Sequence, residues 1–432
     1  MQSGMPSPKM KYLHLVSIFP ARTETFIFRE IRALRDLGCD IVIGQLRPVG
    51  RRPTASDVED LRGCVMPAKL LSWSTVAGVF FFAGKRPTIT WTYLKLVFGC
   101  FPDITNLLKL AYVLLASVSL AYRLRNSGLE HVRGHHLHSE AVSAMFIAGF
   151  LELPYTFKVY TVKIGYPRAV LSQVVNGAAF IIADTLQVRE FLISLRADPA
   201  KIHILRNAVR LSEFPMRPAG SGANSVLLAV GRLDHKKGFH VLLPACAILR
   251  DQGIPFRCVI VGDGGQRSNL LALRAKLRLE SQVEMAGSLG FSEVRERYLQ
   301  ATLLAVPSVV APDGETDGLP TVTIEALAYG VPVVGSATAG IPEVIQDQVN
   351  GFVVPANSPE ELASRMRDLL TNPTLRNQFA AEGRRTAERD FDLDRNVQTL
   401  FALMRGEVTT QPPIADFAAA PSPALETVSS AR

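Results

Sequence analysis

APDGETDGLPTVTIEALAYGVPVVGSATAGIPE, residues 311–343, sets Asp317 and Glu325 eight positions apart around a Gly318-Leu319-Pro320 turn. The run before it, ATLLAVPSVV (301–310), is apolar and β-branched, as a strand buried in a parallel sheet must be. The run after it, Thr321 to Ala328, has the composition of a short helix. The order strand, turn, helix puts Asp317 at the turn and Glu325 about two helical turns further in. Helix N-terminal amides favour an anion such as phosphate, and flanking carboxylates accept hydrogen bonds from sugar or ribose hydroxyls. Phosphate and polyol recognised side by side point to a nucleotide-sugar. Ordinary capping in a doubly wound protein uses the same residue types, so the rest of the chain must decide.

Upstream, VGRLDHKKG (230–238) ends a strand near Gly231 and opens a helix at Gly238, with Arg232 and Lys237 between. Two fixed cations at a strand mouth hold a diphosphate and neutralise a leaving group; a plain surface loop is the competing account. VGDGG (261–265), which includes Gly264, is a glycine turn without the full GxGxxG spacing. Gly287 and Ser288 end a further strand, where backbone groups can read a nucleobase. SVLLAVGRL (225–233), FRCVIVGDG (256–264), QVEMAGSL (282–289), TLLAVPSVV (302–310) and VPVVGSA (331–337) are strands, most followed by a helical stretch. That alternation predicts a parallel, doubly wound sheet with ligands at the carboxyl ends of its strands.

The first half repeats the pattern: KYLHLVSIFP (11–20), a helix from about Thr23 to Leu37, CDIVIGQL (39–46), LEHVRGHHLHS (129–139), PYTFKVY (154–160), AAFIIAD (178–184) and KIHILRN (201–207). NAVRLSEFP (207–215) is a linker, 357–405 is helical, and the Ala/Pro/Ser/Thr-rich tail reads as disordered. The expected division is an N-terminal Rossmann-like domain over 1–207, a C-terminal one over 208–405, its last helix free to pack back on the first, and a tail over 406–432. A chain of 432 residues with 48% hydrophobic content supports two such cores. The scattered Cys39, Cys64, Cys100, Cys246 and Cys258 lack metal-ligand spacing and read as reduced structural thiols of a cytosolic protein.

Net charge is +8, with Arg22, Arg29, Arg32, Arg35, Arg47, Arg51 and Arg52 concentrated early. An anionic partner or a solvated face accounts for them; the absence of a nucleic-acid module argues against DNA or RNA. Leu70–Gly84 and Leu110–Tyr122 are free of charge but shorter than the roughly 20 residues of a spanning helix. They are core helices, or they dock on a membrane with Trp73, Trp91 and Tyr93 at the interface and Lys69, Lys85 and Arg86 near headgroups.

These pieces resemble one family. VGRL…KKG, VGDG, VEMAGSL, the Asp317/Glu325 pair, GLPTVTIEALAYGVPVV and GIPEVI…NGFVVP are similar to the donor half of family 4 retaining glycosyltransferases. FPARTETFI (19–27) and the histidine segment resemble enzymes of colanic-acid and amylovoran-type exopolysaccharide synthesis. The resemblance implies the α/β GT-B architecture, two Rossmann-like parallel-sheet domains facing a cleft. It implies that Arg232 and Lys237 grip the donor diphosphate, Glu325 binds ribose hydroxyls and Asp317 lies near the transferred sugar. Gly231, Gly264, Gly287, Ser288, Gly318 and the backbone of Leu319, Pro320, Thr321 and Val322 complete the donor site. Glu24, Thr25, His136, His138 and Tyr160 fall on the acceptor side.

Three departures stand out. Asp317 replaces the family's glutamate, with Glu315 nearby; Tyr160 and Lys163 stand where a histidine and an aspartate are usual; and HLHS keeps His136 and His138 but puts Ser139 in place of phenylalanine. His135, His136 and His138 resemble a metal cluster, yet the family needs no metal, so site-facing histidines, His138 first, are the preferred account.

The implied activity is retaining transfer of a sugar from a UDP- or GDP-sugar to a lipid-linked saccharide, on the cytoplasmic face of an anionic membrane, with no cofactor, metal or nucleic acid. The alternatives are a non-catalytic nucleotide-sugar-binding scaffold of a polysaccharide assembly complex, motivated by Tyr160 and Lys163, and an oxidoreductase, which needs a glycine fingerprint that neither half shows cleanly.

Overall fold

A computed structural model describes residues 10–19, 25–47, 60–61, 63–162, 165–217, 225–338 and 340–407. The chain forms two compact units. The first runs to Leu205, apart from Thr185–Gln187, and takes in the last helix from Asp394; the second is built on Arg206–Leu393 and takes in Thr185–Gln187.

The first unit holds a seven-stranded sheet in the order β3-β2-β1-β4-β5-β6-β7. Its strands are β1 (Lys11–Val16), β2 (Asp40–Gln45), β3 (Val65–Pro67), β4 (His131–His135), β5 (Tyr155–Val159), β6 (Phe180–Ala183) and β7 (Ile202–Ile204), and every pairing is parallel. Its helices are α1 (Thr25–Asp36), α2 (Trp73–Lys85), α3 (Pro87–Phe98), α4 (Ile104–Leu124), α5 (Ser139–Leu151), α6 (Arg168–Gly177) and α7 (Leu186–Ser194).

The second unit holds a six-stranded parallel sheet, β10-β9-β8-β11-β12-β13. Its strands are β8 (Val226–Val230), β9 (Arg257–Val261), β10 (Val283–Gly287), β11 (Leu303–Val306), β12 (Val333–Ser336) and β13 (Gly351–Val354). Between and after them run α8 (Phe239–Asp251), α9 (Arg267–Lys276), α10 (Phe291–Gln300), α11 (Thr321–Tyr329), α12 (Pro359–Thr371), α13 (Pro373–Asp390) and α14 (Leu393–Met404), the last grouping with the first unit from Asp394 onward. In each sheet the chain order reverses at one place, between β1 and β4 and between β8 and β11. Such a switch point opens a crevice at the carboxyl ends of the strands, where doubly wound sheets bind ligands.

The sequence places most elements, with corrections. The strand read over 302–310 ends at Val306, and β3 and β13 were not anticipated as strands. The linker stretch 207–215 is anchored within the second unit: Val209 bridges to Asp392, Leu211–Glu213 form a 3-10 turn and Phe214 is buried. Leu110–Tyr122, too short by itself to span a bilayer, is the end of the 21-residue α4, long and apolar enough to cross one by length and composition. Ten residues of α4 between Leu110 and Leu124 are buried, which makes this stretch a core helix. All five cysteines are free thiols. The basic run on α1 is partly neutralised, since Arg32 and Arg35 pair with Asp60 at 2.8 and 3.6 Å. Arg22, Arg51, Arg52 and the tail from 408 lie outside the described residues.

Candidate functional site

The switch point of the second sheet gathers the sequence-predicted donor residues. β8 ends at Val230, and the loop Gly231–Asp234 leads into a single 3-10 turn, His235–Lys237, closed by Gly238. Gly238 has φ +68°, and a Cβ there would lie 1.8 Å from the Pro307 carbonyl oxygen. Only glycine lets the β8 loop pass this close to the chain leaving β11. The crossing is locked by the Val309 amide donating to the Lys236 carbonyl at 2.9 Å.

This crossing brings Lys237 to Asp317, eighty residues away: Nζ lies 2.5 Å from Oδ2, and both side chains are mostly buried. Lys236 pairs with Glu315 at 3.5 Å. Arg232, more exposed, pairs with Asp234. The Lys237 stem runs over Gly231, whose hypothetical Cβ would sit 3.3 Å from Cδ.

Beyond Asp317, Leu319 is buried in the core and the Gly318 carbonyl accepts from the Gly340 amide at 3.1 Å, so the turn is fixed at both ends. Pro320, extended at φ −63° and ψ 114°, caps α11 without a side-chain hydrogen bond. The first-turn amides around Thr321 and Val322 therefore lack a side-chain cap, as an anion site at a helix N-terminus requires. Glu325 is the fifth residue of α11, little more than one turn in rather than two, because the helix starts only after Pro320. Its carboxylate accepts from the Tyr298 hydroxyl at 3.3 Å, and the same hydroxyl reaches the Val322 carbonyl at 3.3 Å. Tyr298 was not foreseen, since nothing in the pattern of α10 distinguishes it from a core aromatic.

Gly264 packs on the backbone of Leu233 after β9, while Gly287 and exposed Ser288 close β10. Neighbouring Gly262 has φ +142°, and a Cβ there would meet the Gly231 carbonyl oxygen at 1.9 Å. The glycine turn that is a weak dinucleotide signal is thus a close approach between two strand ends. Arg232, Lys237, Asp317 and the start of α11 share one edge of the sheet with Gly264, Gly287 and Ser288.

The acceptor-side candidates fall differently. Glu24 and Lys163 lie outside the described residues, and Thr25 is the first residue of α1. His136 adopts φ +60°, a left-handed conformation uncommon for a residue with a side chain, and His138 sits at the N-cap of α5 with its ring against Gly165. Their rings are 6.4 Å apart. Ser139, in the place of phenylalanine, hydrogen-bonds Tyr166 at 2.9 Å. Tyr160 is buried, its hydroxyl 2.5 Å from Nδ1 of His135 and its ring 4.7 Å from Phe26.

His135 belongs to a buried network that the sequence reading did not assemble. Arg133 Nε donates to Glu30 at 2.9 Å, Nε2 of His135 lies 3.5 Å from the same oxygen, and the His14 ring is 4.5 Å from that of His135. Lys158 pairs with Asp184 at 3.2 Å, and His131 bonds Thr156 at 3.0 Å. Burial raises the Glu30 carboxyl, but the charge of Arg133 and the hydrogen bond from His135 outweigh it and hold Glu30 well below the usual range. Burial pushes His135 down to about 4, and His14 well below its ordinary value. His14, Glu30 and His135 bring one ligand atom each within 4.8 Å of one another, a set distinct from the His135, His136 and His138 group of the sequence. Here Arg133 already supplies the positive charge that faces Glu30.

Both units together have the GT-B fold. Residues 218–386 match the family profile described as "Glycosyl transferases group 1", so the second unit carries a domain of that family. The Escherichia coli (strain K12) protein provisionally named the colanic acid biosynthesis glycosyltransferase WcaL is 37% identical over 167 residues, 38% of this chain and 41% of that protein. The amylovoran biosynthesis glycosyltransferase AmsK of Erwinia amylovora is 33% identical over 174 residues, 40% of this chain and 43% of that protein. The aligned region thus spans less than half the length of these relatives. Among solved structures, Anabaena Alr3699/HepE in complex with UDP superposes with a TM-score of 0.69 over 92% of this chain and all of that one, at 16% identity. Sucrose-phosphate synthase of Thermosynechococcus elongatus gives 0.67 over 92% and 99%, at 17% identity. At such identities the likeness concerns the fold.

Proposed function

We propose that this protein is a glycosyltransferase of exopolysaccharide or cell-surface polysaccharide synthesis. It moves a sugar from a UDP- or GDP-sugar to a lipid-linked saccharide with retention of configuration. The observation that carries the reading is the Lys237–Asp317 pair at the switch point of the second sheet, beside the uncapped start of α11. Donor diphosphate takes over Lys237 and Arg232, and the α11 amides add a fixed dipole toward the same charge. Asp317, released from Lys237, accepts a hydroxyl of the transferred sugar, and Glu325, steadied by Tyr298, accepts the ribose hydroxyls. Two cations and a helix terminus supply leaving-group stabilisation of the kind a divalent ion gives elsewhere, so transfer proceeds without metal. HepE, a protein of the same fold, is solved with UDP and with UDP-glucose, which supports a nucleotide-sugar as donor here. The enzyme works at the cytoplasmic face of the membrane, where a lipid-linked acceptor lies.

The test is thermal stabilisation by UDP, GDP, ADP and NAD in EDTA. A ligand at 100 times its Kd adds about 2.7 kcal/mol. One nucleoside diphosphate should stabilise the wild type and fail with Lys237→Ala or Arg232→Ala. Stabilisation by NAD alone, or by none of the four, refutes the donor site. Burial of the Tyr160 hydroxyl against His135 favours the second reading, a non-catalytic scaffold, because that hydroxyl is already engaged. Under it, Asp317→Ala and Tyr160→Phe leave cellular polysaccharide intact while gene deletion abolishes it.

A further inference from the structure

Of the fifteen large apolar side chains that stand exposed among the described residues, twelve fall between Leu71 and Leu115. The structure leaves the first charge-free segment, with Trp73, and Trp91 exposed, and withdraws the second segment and Tyr93 from the surface. The second charge-free segment is mostly buried within α4, and Tyr93 is buried with its hydroxyl donating to the Met145 carbonyl at 2.9 Å. The exposed material lies instead on three short stripes. On α2, Trp73, Val76 and Phe80 recur at helical spacing opposite the buried Thr75, Gly78 and Phe82. On α3, Trp91 and Phe98 flank Lys95, whose ammonium lies 5.6 Å from the Trp91 ring centre. The α3–α4 turn and the first turns of α4 add Phe101, Ile104 and Leu108.

The charge around these stripes has one sign. From Lys69 to Arg125 the chain has seven basic residues and one acidic residue, Asp103, whose carboxylate caps α4 through Asn106. Lys69, Lys85, Lys95 and Lys109 are exposed, and no carboxylate pairs with them among the described residues. Arg86 is held by Glu152 and Arg123 by the Pro67 carbonyl. Exposed aromatics with a collar of unneutralised lysines match the chemistry of an anionic bilayer surface, apolar below and negative above. A second protein copy would bring the same positive charge against itself.

We propose that the outward faces of α2 and α3, with the first turns of α4, form an interfacial docking surface for an anionic lipid bilayer, entered by Trp73, Phe80, Trp91, Phe98 and Leu108. The surface deepens the acceptor side of the proposed function and relies on that reading only for the nature of the acceptor. Docking through short stripes leaves α4 inside its own unit, so this surface rests on the membrane and does not span it.

Trp73 and Trp91 are the only tryptophans in the chain, at 82% and 58% exposure, so intrinsic fluorescence reports this surface without a label. The full-length protein is mixed with phosphatidylcholine vesicles containing roughly one-third phosphatidylglycerol, the anionic charge that recruits basic segments, or with phosphatidylcholine alone. Brominated acyl chains serve as quencher. Docking predicts a blue shift and bromolipid quenching on the anionic vesicles, weakened by salt, with each Lys→Gln change at 69, 85, 95 or 109 lowering partitioning about fivefold. The variant Trp73→Ser with Phe80→Ser, at sites that contribute little to the core, should lose vesicle binding and keep its unfolding temperature. Emission unchanged by vesicles, with the protein left in the supernatant, overturns the proposal. So does a blue shift that follows protein concentration without lipid and accompanies a dimer mass in light scattering. Nucleotide stabilisation measured on the same samples separates the two readings: vesicle binding without it sinks only the donor site, and the converse sinks only the docking surface.

Discussion

The two sheets share parallel pairing and a single switch point, yet they bury opposite chemistry. Both faces of the second sheet are apolar: Leu227, Ala229, Ile260 and Ala305 point into one core cluster, while Leu228, Val259, Leu304 and Val333 point into another. The first sheet has one such face, with Leu13, Leu15, Val132 and Phe157. Its other face, under α1, mixes the apolar Ile41, Ile43 and Ile182 with Tyr12, His14, His131, Arg133, His135, Thr156 and Lys158, all buried. In the second unit the paired charge lies at the mouth of the sheet, where Lys237 meets Asp317, and buried Arg217 is held by the carbonyls of Gly330 and Ala301 and not by a carboxylate. In the first unit, charge is sealed within the layer and tied to Glu30 and Asp184. A mouth can exchange a salt bridge for a ligand; a sealed network holds the layer together only while every member is present.

Breaking the sealed network should be the costlier. Glu30→Ala leaves the Arg133 guanidinium buried without its counter-charge and should cost about 3–5 kcal/mol in denaturant unfolding. The paired change Glu30→Leu with Arg133→Met should recover most of that loss. A single-variant cost below about 1 kcal/mol would mean that water already relieves the network.

An apolar deletion in the second sheet sharpens the contrast. Leu304→Ala at a fully buried position should cost about 2–5 kcal/mol through lost transfer energy and a cavity. No companion change at another residue should rescue it, because no charge is stranded.

Acid gives the smallest and most graded difference. Burial holds His135 at about 4 and His131 at about 3, with His14 also well below 6.5. In the unfolded chain these groups take up protons near their ordinary value, so between about 6.5 and 4 the unfolded state binds more protons and stability falls as pH falls. Glu30, also depressed, contributes stability above its ordinary value that is lost as pH falls further. All four effects have the same sign and belong to the first unit. Protection factors, that is amide exchange relative to the intrinsic rate at each pH, should therefore fall from pH 7 to pH 5 in β1 and β4 more than in β8 and β11. Equal changes in both sheets would show that the buried histidines do not set acid stability.

What was legible follows the same division. The second-half strands are continuous apolar runs ending in glycine and charged loops, so the fold, and the placing of Arg232 and Lys237 at a strand mouth, could be read from order and spacing. First-half strands such as KYLHLV and HVRGH alternate polar with apolar residues, a pattern of the kind that marks a half-exposed strand. Here both faces are covered, and the histidines suggested a metal or an active site because nothing local showed Glu30 closing over them. The greasy region misled similarly. Hydrophobicity showed that α2 to α4 were unusual, but not which of their faces was free.

The sequence by itself determined two parallel α/β units, the strand end that carries Arg232 and Lys237, the turn and helix that carry Asp317 and Glu325, and the glycines that let these segments approach, because periodicity, β-branching and turn chemistry act within a few residues. Tertiary structure alone decided that Lys237 grips Asp317 across eighty residues, that Tyr160 is spent on His135 behind Glu30, and that Trp73 and Trp91 face outward while Tyr93 does not. Those outcomes depend on which distant groups share one low-dielectric space and which apolar faces find a neighbour, and strand order fixes both only once the chain has folded.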